Sequence, residues 1–144
     1  MRDLYDTDFY SWTERQAQLI REGRLSELDL ENILEEIESM GRSDYRALQS
    51  RLGILFMHLL KWEYQPEKRQ TGHSWEHTIR EQRKQARRIL QDSPGLKGKI
   101  EAILPVAYKR AIEDAAEETG LSPSTFPQER PWSYEQAMNP EFWP

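Results

Sequence analysis

The stretch YRALQSRLGILFMHLLKW, residues 45–62, repeats large apolar side chains at alternating intervals of three and four residues. We call this set the seam, and it consists of Tyr45, Leu48, Leu52, Leu55, Leu59 and Trp62. Such spacing places the side chains on one stripe of an α-helix and is typical of a helix packed along its length against others. Because the seam covers fewer than three heptads, it predicts a helical bundle rather than an extended coiled coil.

Two shorter amphipathic helices are predicted before the seam. The first begins at Asp6 or Thr7, either of which is a suitable cap, and ends at Gly23 in a left-handed conformation. Its apolar-face positions are Phe9, Trp12, Gln16, Leu19 and Ile20. The second follows a cap at Asp29, and its stripe is expected to face the core. That stripe consists of Leu30, Ile33, Leu34, Ile37 and Met40.

The sequence leaves open whether the seam helix is separate from the helix before it. Gly41 is predicted to break or bend the chain, and Ser43 is a suitable cap for the helix that follows. This third helix is expected to end before Pro66, because proline disfavours helix in the preceding residue.

Two further helices and an aromatic tail are predicted after the seam. Residues 66–72 indicate an exposed loop, and Ser74 is the expected cap of a fourth helix, with Trp75, Ile79, Ala86, Ile89 and Leu90 inside. Ser93-Pro94 indicates the start of a fifth helix, which Pro105 should kink or split and Gly120 should end. The small residues Ala107, Ala111 and Ala115 would let a neighbouring helix come close.

Residues 121–144 alternate prolines with aromatic residues and include one short helical start at Ser133. We expect the aromatic side chains to hold this tail against the bundle. The predicted fold is therefore all-α: one domain over residues 1–144, with about five helices in residues 6–120 and the tail in 121–144.

Composition favours a soluble cytoplasmic protein. The chain has 144 residues, 10% of them aromatic, and no cysteine, which excludes disulfides and thiolate chemistry. The start shows no signal-peptide pattern. The longest apolar run, residues 54–60, is interrupted by His58 and is far shorter than the roughly 20 residues that cross a bilayer.

Charge is distributed unevenly, with net −5 over residues 1–60, +5 over residues 61–99 and −5 over residues 100–144. The basic middle either binds an external anionic partner or neutralises its acidic neighbours within one fold. We prefer the second explanation because it requires no partner.

Several segments, in matching order along the chain, resemble one known family. They are YDTDFY at 5–10, EEIESMG at 35–41, MHLLKW at 57–62, IREQR at 79–83, AEETGL at 116–121 and the final FW at 142–143. Together they resemble domain-of-unknown-function family 29, a group of small bacterial proteins. The resemblance implies a compact helical domain and assigns no activity, substrate or partner.

Four groups of side chains are candidates for chemistry or binding. His73 and His77 match the H-x-x-E-H spacing of an inverted zinc-protease motif, in which two imidazoles hold zinc. We expect no metal there, because Ser74 as a cap would leave His73 outside the helix. Glu31, Glu35 and Glu38 lie about 80–140° from Leu30 on a helical wheel, where they flank the core, and are expected to form a solvated or salt-bridged stripe rather than a metal site.

The most specific functional candidate is a basic row on the fourth helix, formed by Arg80, Arg83, Lys84, Arg87 and Arg88. Such a face can follow nucleic-acid phosphates, although the pI near 5.3 opposes non-specific binding. On a solvated face, Arg83→Ala is expected to cost well under about 1 kcal/mol of stability. The aromatic residues Trp62, Tyr64 and Trp75 are expected either to form a pocket or to hold the 66–72 loop on the core.

The sequence contains no glycine-rich phosphate loop, nucleophile elbow or paired acid and base. We therefore predict a non-enzymatic interaction module without a cofactor, acting on a protein partner or on itself. The alternative is a nucleic-acid-associated protein using the basic row, and the third hypothesis is a zinc-dependent hydrolase through His73 and His77.

Overall fold

A computed structural model describes residues 3–70 and 73–144, apart from the side chain of His73. Within those residues all regular structure is helical, and no strand occurs. The α-helices are α1 (Leu4–Thr7), α2 (Phe9–Arg21), α3 (Leu30–Tyr64), α4 (His73–Asp92), α5 (Ile100–Thr119) and α6 (Tyr134–Met138). The predicted all-α fold is confirmed. No helix in the described ranges combines the length and apolar character needed to span a membrane.

Backbone contacts divide the chain into two compact units, one ending at Arg42 and the other formed by residues 43–144. The prediction of one domain over residues 1–144 stays a prediction, and each unit is described separately.

The first unit begins with two helices where the sequence predicted one. Asp3 caps α1 through the amide of Asp6, and Asp8 caps α2 through the amide of Ser11 at 3.1 Å. The predicted start at Asp6 or Thr7 is therefore wrong, because the Asp8 carboxylate interrupts the helix and restarts it. Gly23 follows α2 with φ of 70°, as predicted for a helix end.

Asp29 joins α2 to the start of α3. Its carboxylate accepts hydrogen bonds from the amide and side chain of Asn32, which confirms the predicted cap. The same carboxylate accepts the indole N–H of buried Trp12 at 3.0 Å, and the Asp29 amide donates to Gln16 Oε1 at 2.9 Å. These bonds to the charged form, led by that from Asn32, lower the pKa of Asp29.

The second and third predicted helices, whose separation the sequence left open, form one uninterrupted helix of 35 residues, α3. Gly41 is helical and has no positive φ, so it does not break the chain as predicted, and Ser43 is an interior residue rather than a cap. Glycine weakens a helix interior by about 1 kcal/mol relative to alanine, which is too little to stop a helix of this length.

The seam lies at the centre of the second unit. Leu48, Leu52, Leu55 and Leu59 are fully buried, and Tyr45 and Trp62 pack at the margin. A Cβ added to Gly53 would lie 3.6 Å from the carbonyl oxygen of Ala107, so α3 and α5 approach closely at their small residues. The core prediction for the seam is confirmed.

The following helices differ from prediction at their starts. α4 begins at His73, so Ser74 lies within its first turn rather than before it, and the preceding residues 71–72 are outside the described set. Pro94 begins a 3₁₀ segment, Pro94–Lys99, and α5 starts only at Ile100. Pro105 lies inside α5 without splitting it, and Gly120 ends the helix with φ of 75° as predicted.

The tail packs against the helices of the second unit, to which it belongs. Phe126, Trp132 and Ala137 are buried, and the Tyr108 hydroxyl donates to the Pro127 carbonyl at 2.6 Å. Ser133 begins α6 with a capping box, which confirms the predicted short helix.

Candidate functional site

The predicted basic row is not one solvated face. Arg80, Lys84, Arg87 and Arg88 are exposed, and Arg80 pairs with Glu76 of its own helix at 2.6 Å. Arg83, in contrast, is only 1% exposed. The prediction that Arg83 lies in solvent is wrong. Nucleic-acid contact stays a prediction for the four exposed cations.

Arg83 binds the backbone of the tail. Its Nε donates to the Ala137 carbonyl and its Nη2 to the Phe142 carbonyl, both at 2.7 Å, while Nη1 lies 3.5 Å from the Pro140 oxygen. The guanidinium also lies 5.3 Å from the centre of the Trp143 ring. The end of α6 and the segment after it leave carbonyls without helical partners, which the planar fork of arginine can reach together.

Burial dominates the electrostatics of this contact. It lowers the pKa of Arg83 to about 10, and the nearby charges of Arg87 and Arg80 act in the same direction. The side chain therefore stays charged at neutral pH, with carbonyl dipoles as its hydrogen-bond acceptors. This contact fixes the tail and offers no reactive group.

The sequence contained a signal for the burial of Arg83 that its charge obscured. Arg83 follows Ile79 by four residues and precedes Ala86 by three, and both of those residues are fully buried. Residues at these intervals share a helix face. What the sequence could not show is that unpaired carbonyls lie opposite that face.

The three predicted pocket aromatics contact different partners. Trp62 packs on Trp143 with ring centroids 4.8 Å apart, and Tyr64 meets Phe126 edge to face at 5.3 Å. Trp75 lies 5.0 Å from the Lys61 amine. Two of the three rings therefore pack on the tail, an arrangement that neither sequence-based alternative named.

Arg69 strengthens the same attachment. It lies 5.0 Å from the centre of the Trp62 ring and donates to the Trp62 carbonyl at 2.7 Å and to the Pro144 carbonyl at 3.3 Å. Arg69 and Arg83 thus hold the chain end at two points. The remainder of the predicted 66–72 loop contains a short 3₁₀ turn, Pro66–Lys68.

A buried lysine lies beside a half-buried histidine in α3. Lys61 Nζ bonds Glu118 Oε2 at 2.6 Å, and His58 Nδ1 bonds the Ile54 carbonyl at 2.9 Å. Burial lowers the pKa of His58, which favours the neutral ring. The carbonyl can only accept, so Nδ1 carries the proton. Sequence reasoning missed the buried Lys61, which no apolar spacing distinguishes from a solvated lysine.

No group of three metal-ligating side chains occurs among those the structure describes. His77 is exposed, and the His73 side chain lies outside the described set, so the zinc hypothesis for His73 and His77 stays a prediction.

The apolar face of α3 differs most from its prediction. We use this name for Leu30, Leu34, Ile37 and Met40, which are 66%, 57%, 56% and 62% exposed. Only Ile33, on the same side of the helix, is half-buried. The prediction that this stripe faces a core is wrong: the periodicity is present, but within the described part of the chain these four side chains are exposed.

An acidic edge accompanies this face. Glu31 and Glu38 are exposed and form no ion pair with any residue that the structure describes, whereas Glu35 pairs with Arg42 at 3.1 Å. Glu36, on the other side, accepts a hydrogen bond from the Tyr5 hydroxyl. The expected glutamate stripe is therefore solvated.

Comparison with known proteins gives one match. A family model described as domain of unknown function DUF29 matches residues 4–143. No curated protein and no solved structure matches the chain.

Proposed function

The chain belongs to the DUF29 family, and because this membership assigns no activity, we propose from the geometry that the protein is a non-enzymatic interaction module. It binds another protein through the apolar face of α3. The observation that supports this proposal is the exposure of Leu30, Leu34, Ile37 and Met40, each at least 56% exposed on one side of a helix. The absence of cysteine supports a cytoplasmic location for this module.

The size of these side chains makes their burial by a partner energetically favourable. Fully burying a leucine, isoleucine or methionine side chain contributes about 1.5–3 kcal/mol, so four of them form a strong site for association. Single exposed apolar residues are ordinary, but contiguous patches mark interaction surfaces. Here the spacing is also helical, which favours a partner that packs along the helix.

A crosslinking experiment in the native cell tests this proposal. A photoreactive amino acid replaces Leu34 in one variant and Ser39 in a matched control. Ser39 is exposed on the opposite side of α3. We expect illumination to produce a defined adduct with another polypeptide from position 34 and none from position 39, as read by mass spectrometry.

Three outcomes contradict the proposal. They are no adduct at position 34, equal adducts at both positions, and a crosslink from position 34 back into the same chain. The last would mean that residues of the protein itself cover the apolar face.

A further inference from the structure

The apolar face of α3 and the charges beside it indicate which kind of partner would fit. We infer, on the basis of the proposed function, that the occupant is an amphipathic helix of another protein with lysine or arginine along one edge. Three features support this occupant: the shape that fits the face, the charge beside it, and the mismatch with a second copy of this chain.

The shape is that of a helix. Leu30, Leu34 and Ile37 stand four and three residues apart, which is the spacing of a helix-packing seam. In the same helix, the seam residues Leu48–Leu59 with this spacing are buried in a core built with α4 and α5. A surface built like one that helices already cover is suited to a helix.

The charge beside the face is negative. Glu31 and Glu38 each follow a residue of the apolar face, Leu30 and Ile37, by one position and so lie along one edge of that face. Both are exposed and lack an ion pair within the described parts of the chain. Complementary charge across an interface selects the partner and suppresses like-charged competitors. A row of cations on the occupant would meet this requirement.

A second copy of this chain does not supply such a row of cations. A twofold pair uses the same patch on both subunits, so an antiparallel pair would bring Glu31 of one copy against Glu38 of the other. A parallel pair would place Glu38 beside Ile33 of the other copy, without a counter-charge. The antiparallel arrangement therefore brings like charges together, and the parallel one leaves the acidic edge without cations.

Two synthetic helical peptides of about three heptads provide the test, with identical leucine seams and either lysine or glutamate along the flanking edge. Binding to the full-length protein is measured by fluorescence anisotropy at low salt. We expect the lysine peptide to bind at least about tenfold more tightly than the glutamate peptide. The double charge reversal Glu31→Lys/Glu38→Lys should invert this preference.

Two control variants separate a specific site from general attraction. Leu34→Glu makes the protein more acidic, so non-specific attraction of the lysine peptide would increase, whereas we expect its binding to be lost. Glu113→Lys/Glu117→Lys changes net charge as the edge reversal does, at exposed positions of α5, and should leave binding unchanged.

Equal affinity for the two peptides, binding of neither, or binding unaffected by Leu34→Glu would overturn the inference. So would a Leu34 crosslink between two copies of the chain, although the proposed interaction function would then survive. Absence of any adduct at position 34 would instead contradict the proposed function itself, so the two failures are distinguishable.

Discussion

At the scale of single residues, Arg83 shows that tertiary contacts decide whether a charged side chain is exposed or buried. Its helix position is a buried one, and its charged end reaches carbonyls of the tail at Ala137 and Phe142. A buried cation is costly unless hydrogen bonds replace its hydration. Because the fork of Arg83 supplies several donors at once, the residue stabilises the folded chain instead of serving as a ligand site.

Replacing Arg83 tests this role. Arg83→Ala leaves the buried Ala137 carbonyl and the part-buried Phe142 carbonyl without this donor and is expected to lower the free energy of unfolding by about 2–4 kcal/mol in urea titration. Arg83→Lys should recover only part of that loss, because an ammonium cannot reproduce the planar fork.

The control for this experiment is Arg87→Ala on the same helix. Arg87 is exposed, so its loss is expected to change stability by no more than about 0.5 kcal/mol. Equal small effects for both alanine variants would show that Arg83 is solvated, as the sequence suggested.

At the scale of elements, α3 shows that a glycine in a helix is a cost rather than a stop signal. Gly41 has helical geometry, and a Cβ added there would meet nothing within 4 Å. Gly23 also has open space, but its φ of 70° lies in the left-handed region. The same residue type therefore continues one helix and ends another, according to backbone conformation.

Alanine substitutions distinguish these two glycines. Gly41→Ala is expected to raise the free energy of unfolding by about 0.5–1 kcal/mol, because alanine is the better helix residue. Gly23→Ala should lower it by about 1–2 kcal/mol, since a Cβ strains the left-handed conformation. Thermal and urea unfolding would measure both, and a loss of stability in Gly41→Ala would show that the chain breaks there.

At the scale of the whole molecule, the contiguous buried core belongs to one unit. Its fully enclosed members begin at Leu48 and end at Ala137, and the half-buried residues around them lie between Tyr45 and Trp143. The first unit buries few apolar side chains, chiefly Trp12 and Leu19. The two units therefore have very different capacities to fold alone.

Two fragments test this difference. Residues 43–144 contain the complete core cluster and are expected to unfold cooperatively in urea with a helical circular dichroism spectrum. Residues 1–42 bury too little apolar surface and should be largely unfolded by the same measurement. A non-cooperative 43–144 fragment would show that the core depends on the first unit.

Most of the fold could be predicted from the local spacing of residues in the sequence. The sequence correctly predicted the features that depend on neighbours within a few residues. These are the intervals of the seam, the cap at Asp29, the helix ends at Gly23 and Gly120, and the short helix at Ser133. The failures at Gly41 and Pro94 came from weak local preferences that a longer helix or a 3₁₀ turn overrode. The DUF29 resemblance was also present in the sequence, and the match over residues 4–143 confirms it.

By itself the sequence determined which side of each helix is apolar. Only the tertiary structure decided which of those sides is covered. Leu34 and Leu55 occupy equivalent places in similar stripes of α3, yet one is 57% exposed and the other fully buried. Periodicity follows from the geometry of a single helix, whereas burial depends on whether distant chain segments reach that face, and residues brought together from far apart in the chain leave no local pattern.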